Sequence, residues 1–154
     1  MHSTINHTKT ELFIEISCGL LLLLFLYTAI SKLIDYANFR ATLYSSPLIG
    51  HNASWLAWLL PAAELGVAVC LFIPGLRLKG LWAALLLLLL FTFYLLFILI
   101  FKSHNLPCSC GGVLRQMTWR QHIVFNTFFI LLSCTSIRQF KKNQQIGATG
   151  LLST

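Results

Sequence analysis

The sequence predicts an all-α integral membrane protein, a bundle of four transmembrane helices. Three observations predict it. Of the 154 residues 57% are hydrophobic and only 10% are charged, where a soluble domain carries about 25% charged residues. Four separate stretches reach the roughly 20 apolar residues that a helix needs to cross a bilayer. The 11 Lys and Arg, set against 4 Asp and Glu, are dispersed at the ends of those stretches and give a net charge of +7. That distribution suits side chains snorkelling to lipid headgroups. It is unlike the clustered basic face of a nucleic-acid binder, so no nucleic-acid partner is expected. The length allows a single domain.

The first span is Leu12 to Ile34, with Leu20 to Leu24 at its centre. It is too long for a signal-peptide core of roughly 7–15 residues, and no small-x-small cleavage site follows it. It is therefore expected to remain as an anchor, preceded by a cytoplasmic segment over residues 1–11. Asp35 to Asn52 forms a connection with a short interfacial helix expected around Tyr36 to Tyr44. The second span is Ala53 to Ile73, closed by Pro74-Gly75 and a tight turn with basic anchors at Arg77 and Lys79. The third, Gly80 to Phe101, is free of charge; the fourth, Trp119 to Ile137, also carries Arg120, His122 and Asn126. The four-helix domain thus covers residues 12–138, and 139–154 reads as a mobile polar tail. Trp55, Trp58, Trp82 and Trp119 fall near span ends, as an aromatic belt requires.

Lys102 to Thr118, between the third and fourth spans, holds the chemistry. It contains Pro107-Cys108-Ser109-Cys110-Gly111-Gly112. Two thiols one residue apart suit a reversible disulfide or a mixed disulfide with a partner. The pair can just meet the Cα separation of about 4.4–6.8 Å that a disulfide needs. A structural staple is a poor reading, because closing so short a loop removes little unfolded-state entropy. A metal reading needs further ligands, and His104 and His122 in this spacing match no zinc pattern. Cys18, Cys70 and Cys134 lie toward the other ends of their helices and read as packing residues.

Orientation follows from charge and chemistry together. With both termini in the cytoplasm, Lys9, Arg77, Lys79, Arg138, Lys141 and Lys142 are inside, and Lys32, Arg40, Lys102, Arg115 and Arg120 are outside. Six against five favours that arrangement under the positive-inside rule. It also sets Cys108 and Cys110 on the oxidising side of a bacterial inner membrane.

The chain resembles the MauE/DoxX group of four-helix bacterial membrane proteins, in its MauE-like redox-associated branch. The resemblance rests on Thr28-Ala29-Ile30-Ser31-Lys32-Leu33, on Leu59-Leu60-Pro61-Ala62-Ala63-Glu64-Leu65, on the aromatic-rich third span, and on Pro107-Cys108-Ser109-Cys110-Gly111-Gly112. It covers roughly residues 12–138. Gly111 stands where the group commonly has a larger residue. The resemblance implies thiol–disulfide exchange, or maturation of a secreted disulfide-containing protein, with a separate thioredoxin-like or client protein as partner. A quinone acceptor is suggested only by analogy with other four-helix disulfide-generating membrane proteins. The competing expectation is a non-enzymatic accessory subunit of a larger membrane complex.

Three further positions complete the candidate site. Glu64 falls near the middle of the second span, where an ionisable group is costly and usually paired or functional. It is expected either to pair with Lys32, although their depths differ by about two helical turns, or to be protonated and bonded to Ser31, Thr28 or a fourth-helix group. Small Ala62 and Gly66 would allow close helix contact beside it. His122 and Asn126 share one face of the fourth helix. His122 would either support a thiolate at Cys108 or Cys110, or face the headgroups.

Overall fold

Each expected span becomes one helix in the computed structural model, which describes residues 2–46, 50–101 and 118–151. The helices are α1 (His2–Ile34), α2 (Tyr36–Ser45), α3 (Ala53–Phe72), α4 (Arg77–Phe101) and α5 (Trp119–Leu151). Four of them are long and apolar enough to cross a membrane, over residues 10–34, 53–72, 74–97 and 120–145. Helix α2 is the short connecting helix. No strand occurs among the described residues.

The helix ends depart from the sequence reading in a consistent direction. Helix α1 already starts at His2, and α5 runs to Leu151, through residues read above as a mobile tail. Both extensions lack proline, and the α5 extension is rich in Lys and Gln, which lose little side-chain freedom in a helix. Apolar runs mark where a helix is buried in lipid, not where its hydrogen bonding stops. Helix α4 begins at Arg77 because Pro74 opens a single tight turn, Pro74–Leu76, and releases the chain into helix directly after it. The basic side chains Arg77 and Lys79 therefore belong to the first turn of α4.

Helix α1 packs against α3 and α5, and α4 packs against the same two, so the four spans form a closed ring. Ile14, Cys18, Leu21 and Phe25 repeat at helical spacing along α1 and turn one stripe into the bundle. Val67, Ala68 and Leu71 of α3 meet them, with Leu81, Leu85 and Leu88 of α4 and Phe129 and Ile137 of α5. This apolar core fills the half of the bundle remote from α2. Gly80 sets the α3–α4 approach: a Cβ there would lie 2.9 Å from the Leu71 backbone nitrogen and 3.0 Å from the Cys70 carbonyl carbon. Cys18 is buried in the core, Cys70 and Cys134 are half-buried, and all three are free thiols.

The outward surface is apolar, as a lipid-facing surface must be. Trp55 is 83% exposed, and Phe93, Ile100 and Phe128 also point away from the bundle. Ala62 and Gly66 face outward too, and a Cβ on Gly66 would meet nothing. The expectation that they draw two helices together beside Glu64 is therefore corrected. Apart from Ser54 and Glu64, helix α3 is apolar all round, so its pattern does not distinguish the packed side from the lipid side.

Candidate functional site

The end of the bundle that carries α2 is built differently from the dry core. A single residue, Asp35, separates α1 from α2; its backbone oxygen accepts from the Phe39 N–H and its carboxylate from Asn38 Nδ2 at 2.6 Å. The chain therefore bends at once, and α2 lies back on α3, with Phe39 and Leu43 against Ala53 and Ala57. Tyr44 Oη and Ser54 Oγ share a hydrogen bond of 2.6 Å, and Arg40 donates to both. Ser46, just past α2, hydrogen-bonds Tyr94 of α4 at 2.7 Å. Helix α2 is thereby tied to two spans.

Beneath α2, Lys32 Nζ donates to Glu64 Oε1 at 2.6 Å. It also reaches the Thr28 carbonyl at 3.4 Å and lies 5.9 Å from the Phe39 ring centroid. Lys32 stands two residues from the end of α1, whereas Glu64 stands eleven residues into α3. Antiparallel geometry closes that gap. A side chain leans toward the N-terminus of its own helix, so Lys32 leans into the bundle and Glu64 leans out toward it. Phe39 then closes over the ammonium, which leaves Lys32 only 7% exposed. The ion-pair arrangement is the one found.

The start of α5 is set by a reciprocal cap. The Thr118 hydroxyl accepts from the Gln121 N–H at 3.4 Å, and the Gln121 amide oxygen accepts from the Thr118 N–H at 2.9 Å. His122 follows directly and turns inward: it is 1% exposed, with its ring edge-on to Phe91 of α4 at 5.7 Å. It does not face the headgroups. Asn126, one turn further along, is 4% exposed. Neither ring nitrogen of His122 nor Asn126 Nδ2 has a hydrogen-bond partner among the described residues, and Glu64 Oε2 lacks one as well. The buried hydroxyls behave otherwise. Ser17, Thr28, Ser133 and Ser136 each donate to a carbonyl three or four residues back in their own helix.

The ion pair, His122 and Asn126 lie in the same half of the bundle. Glu15 of α1 and Arg77 of α4 meet at 3.5 Å at the far end of the bundle. At 1.5 Å per residue, Lys32 and Tyr94 each lie about 25 Å above that level, and Thr28 and Phe91 about 20 Å. Phe91 touches His122, so His122 belongs to the layer that holds Thr28, Lys32 and Tyr94, with Asn126 about 6 Å deeper. Buried serines in the far half bond into their own helices, whereas the ion pair, His122 and Asn126 lie toward the α2 end. Cys108 and Cys110 lie outside the described residues. Their segment joins the end of α4 to the start of α5, and both of those ends are at the α2 end. No three metal-ligating side chains cluster among the described residues.

Four apolar spans around a buried ion pair, with His122 and Asn126 buried and unpartnered among the described residues, define a multi-pass membrane protein with polar groups inside one half of its bundle. The family model described as methylamine utilisation protein MauE matches residues 10–138, and the chain belongs to that family. No curated protein and no solved structure matches it. The matched region takes in all of α1's apolar stretch and α5 as far as Arg138, so it contains every candidate residue.

Proposed function

We propose that the chain is a membrane-embedded thiol–disulfide redox protein of the bacterial inner membrane, with both termini cytoplasmic. It works through Cys108 and Cys110 on a periplasmic thioredoxin-like or client protein. The observation that carries this reading is the Cys-x-Cys pair itself, in the sequence that connects α4 to α5. A client thiolate attacks one sulfur of the Cys108–Cys110 disulfide and releases the other as a thiolate. The client's second thiol then resolves the mixed disulfide, leaving an oxidised client and a reduced pair. Two electrons and two protons have moved from client to pair, and the reverse sequence reduces a client. His122, in the first turn of α5 after Arg120, is the candidate to favour the thiolate form. In this reading Lys32, Glu64 and Asn126 line the layer beneath.

The test is thiol trapping in membranes. Cys110→Ser should leave Cys108 free to accumulate a mixed disulfide with a periplasmic protein, and Cys108→Ser should abolish or reroute that adduct. No adduct with either variant, together with unchanged client oxidation, would sink the redox reading. A small bundle with little mass outside its spans suits a second reading, a non-enzymatic accessory subunit held in a larger membrane complex. A stable complex that survives both Cys→Ser changes would favour it.

A further inference from the structure

We infer that His122 and Asn126 form an intramembrane binding site for a quinone headgroup. The inference rests on the redox reading above and names the two-electron acceptor that it requires. Glu64, whose Oε2 is also unpartnered, holds Lys32 with its other oxygen, but the side chains of His122 and Asn126 make no hydrogen bond among the described residues. Lys32 has Glu64, Ser46 has Tyr94, and the serines and threonine bond back into their own helices. His122, 1% exposed, and Asn126, 4% exposed, keep three nitrogens without any partner among the described residues. A buried donor left unpaired is a standing cost, and such groups call for a functional explanation.

The chemistry of the orphaned atoms restricts the occupant. A neutral imidazole offers one donor and one acceptor, and the Asn126 amide nitrogen offers donors. The charges in this half of the bundle already neutralise each other in the Lys32–Glu64 pair at 2.6 Å. The occupant is therefore uncharged and carries oxygen that can accept a hydrogen bond and, in another state, donate one. The site lies within the span of α5, ringed by lipid-facing helices, so the occupant is also lipid-soluble. A quinone meets each condition. Its carbonyl accepts from Asn126 Nδ2 or from the imidazole N–H, and after reduction the quinol hydroxyl donates to the other ring nitrogen. Phe91, half-buried and edge-on to His122, is the ring that would flank the headgroup or rotate to admit it. The overall step balances: a dithiol at Cys108 and Cys110 closes to a disulfide, and the quinone gains the two electrons and two protons to become a quinol.

The test uses the full chain purified into nanodiscs, with decylubiquinone and menadione as probes followed by tryptophan fluorescence quenching. Saturable binding of at least one probe is expected. Asn126→Leu and His122→Leu should each weaken it by about tenfold or more, the scale expected for losing a buried hydrogen bond. His122→Gln, which keeps a donor and an acceptor, should recover much of the loss relative to His122→Leu. Asn126→Leu should also raise the thermal midpoint of the ligand-free protein or leave it unchanged, because an unpaired buried amide is removed. Weaker binding with no loss of stability is the signature of a ligand site. Failure of both probes to bind saturably, or binding that both leucine variants leave intact, would overturn the inference. So would an Asn126→Leu variant that is less stable and binds normally. Quinone binding without thiol exchange would overturn the redox reading and leave the site standing. Thiol exchange without quinone binding would overturn the site alone.

Discussion

Replacing Lys32 by methionine should cost the protein about 3 kcal/mol, while replacing Lys32 and Glu64 together should cost about 1 kcal/mol or less. The estimate starts from geometry. The ammonium and carboxylate meet at 2.6 Å, their side chains are 8% and 14% exposed, and Phe39 covers the lysine. With so little solvent nearby, Lys32→Met strands a carboxylate that α2 and the bundle still enclose. Losing one partner of a buried pair typically costs about 3–5 kcal/mol. The lower end applies here, because a chain unfolded within a membrane or micelle still finds partners for its polar groups. The double replacement Lys32→Met with Glu64→Leu keeps the volume and leaves no stranded charge. The assay is reversible unfolding in mixed micelles of increasing SDS content, followed by helical circular dichroism, on the wild type, both single variants and the double. The expected result is a double variant far more stable than the summed single losses imply. Additive losses, or a Lys32→Met variant within about 0.5 kcal/mol of wild type, would refute the claim that the pair locks α1 to α3.

Two further outcomes follow from local geometry. Gly80→Ala places a methyl 2.9 Å from the Leu71 nitrogen and 3.0 Å from the Cys70 carbonyl carbon, which forces α3 and α4 apart. Alanine's helix advantage of up to about 1 kcal/mol offsets part of an overpacking cost of about 1–3 kcal/mol. A lowered thermal midpoint should result, and an unchanged one would show that the crossing is slack. Tyr44 is the second case. Hydrogen bonds from Ser54 and then Arg40 hold its hydroxyl below the usual value of 10. A group whose folded value is lowered contributes stability above its unfolded value and loses it as pH falls through the folded value. Docking of α2 should accordingly tighten as pH rises through that alkaline window, and Tyr44→Phe should remove the effect.

The spans were readable because lipid demands length and apolarity, and both are written directly in the residues. Helix α2 was readable for a similar reason, since residues 36–44 carry helix-compatible residues between two spans. The helix ends were not, because polar Lys and Gln extend a helix as readily as leucine does. The Lys32–Glu64 pairing looked strained by two turns because positions along an axis ignore the opposite lean of side chains on antiparallel helices. The orientation of Ala62 and Gly66 was hidden by a helix that is apolar on every side. His122 and Asn126 were visible as a shared face, yet whether that face met lipid headgroups or the interior depended on how far α5 sinks beside Phe91. Thr118-Trp119-Arg120-Gln121 carried a readable start signal for α5 that apolar runs alone do not disclose. Cys108 and Cys110 stand on sequence alone.

The opposed lean of Lys32 and Glu64 bears on how the chain is built as well as on how it stands. Helix α1 is made first, and its lysine, two residues from the helix end, can hold its ammonium near the surface while no partner exists. Helix α3 brings its carboxylate eleven residues deep, where insertion of a lone acidic group costs about 2.5–3.5 kcal/mol. A lysine already waiting on the neighbouring helix lowers that cost at the moment of entry. Helices α1 and α3 should therefore enter the membrane together more readily than α3 alone. The order of synthesis thus bears on insertion: the earlier helix makes the later one admissible to the membrane.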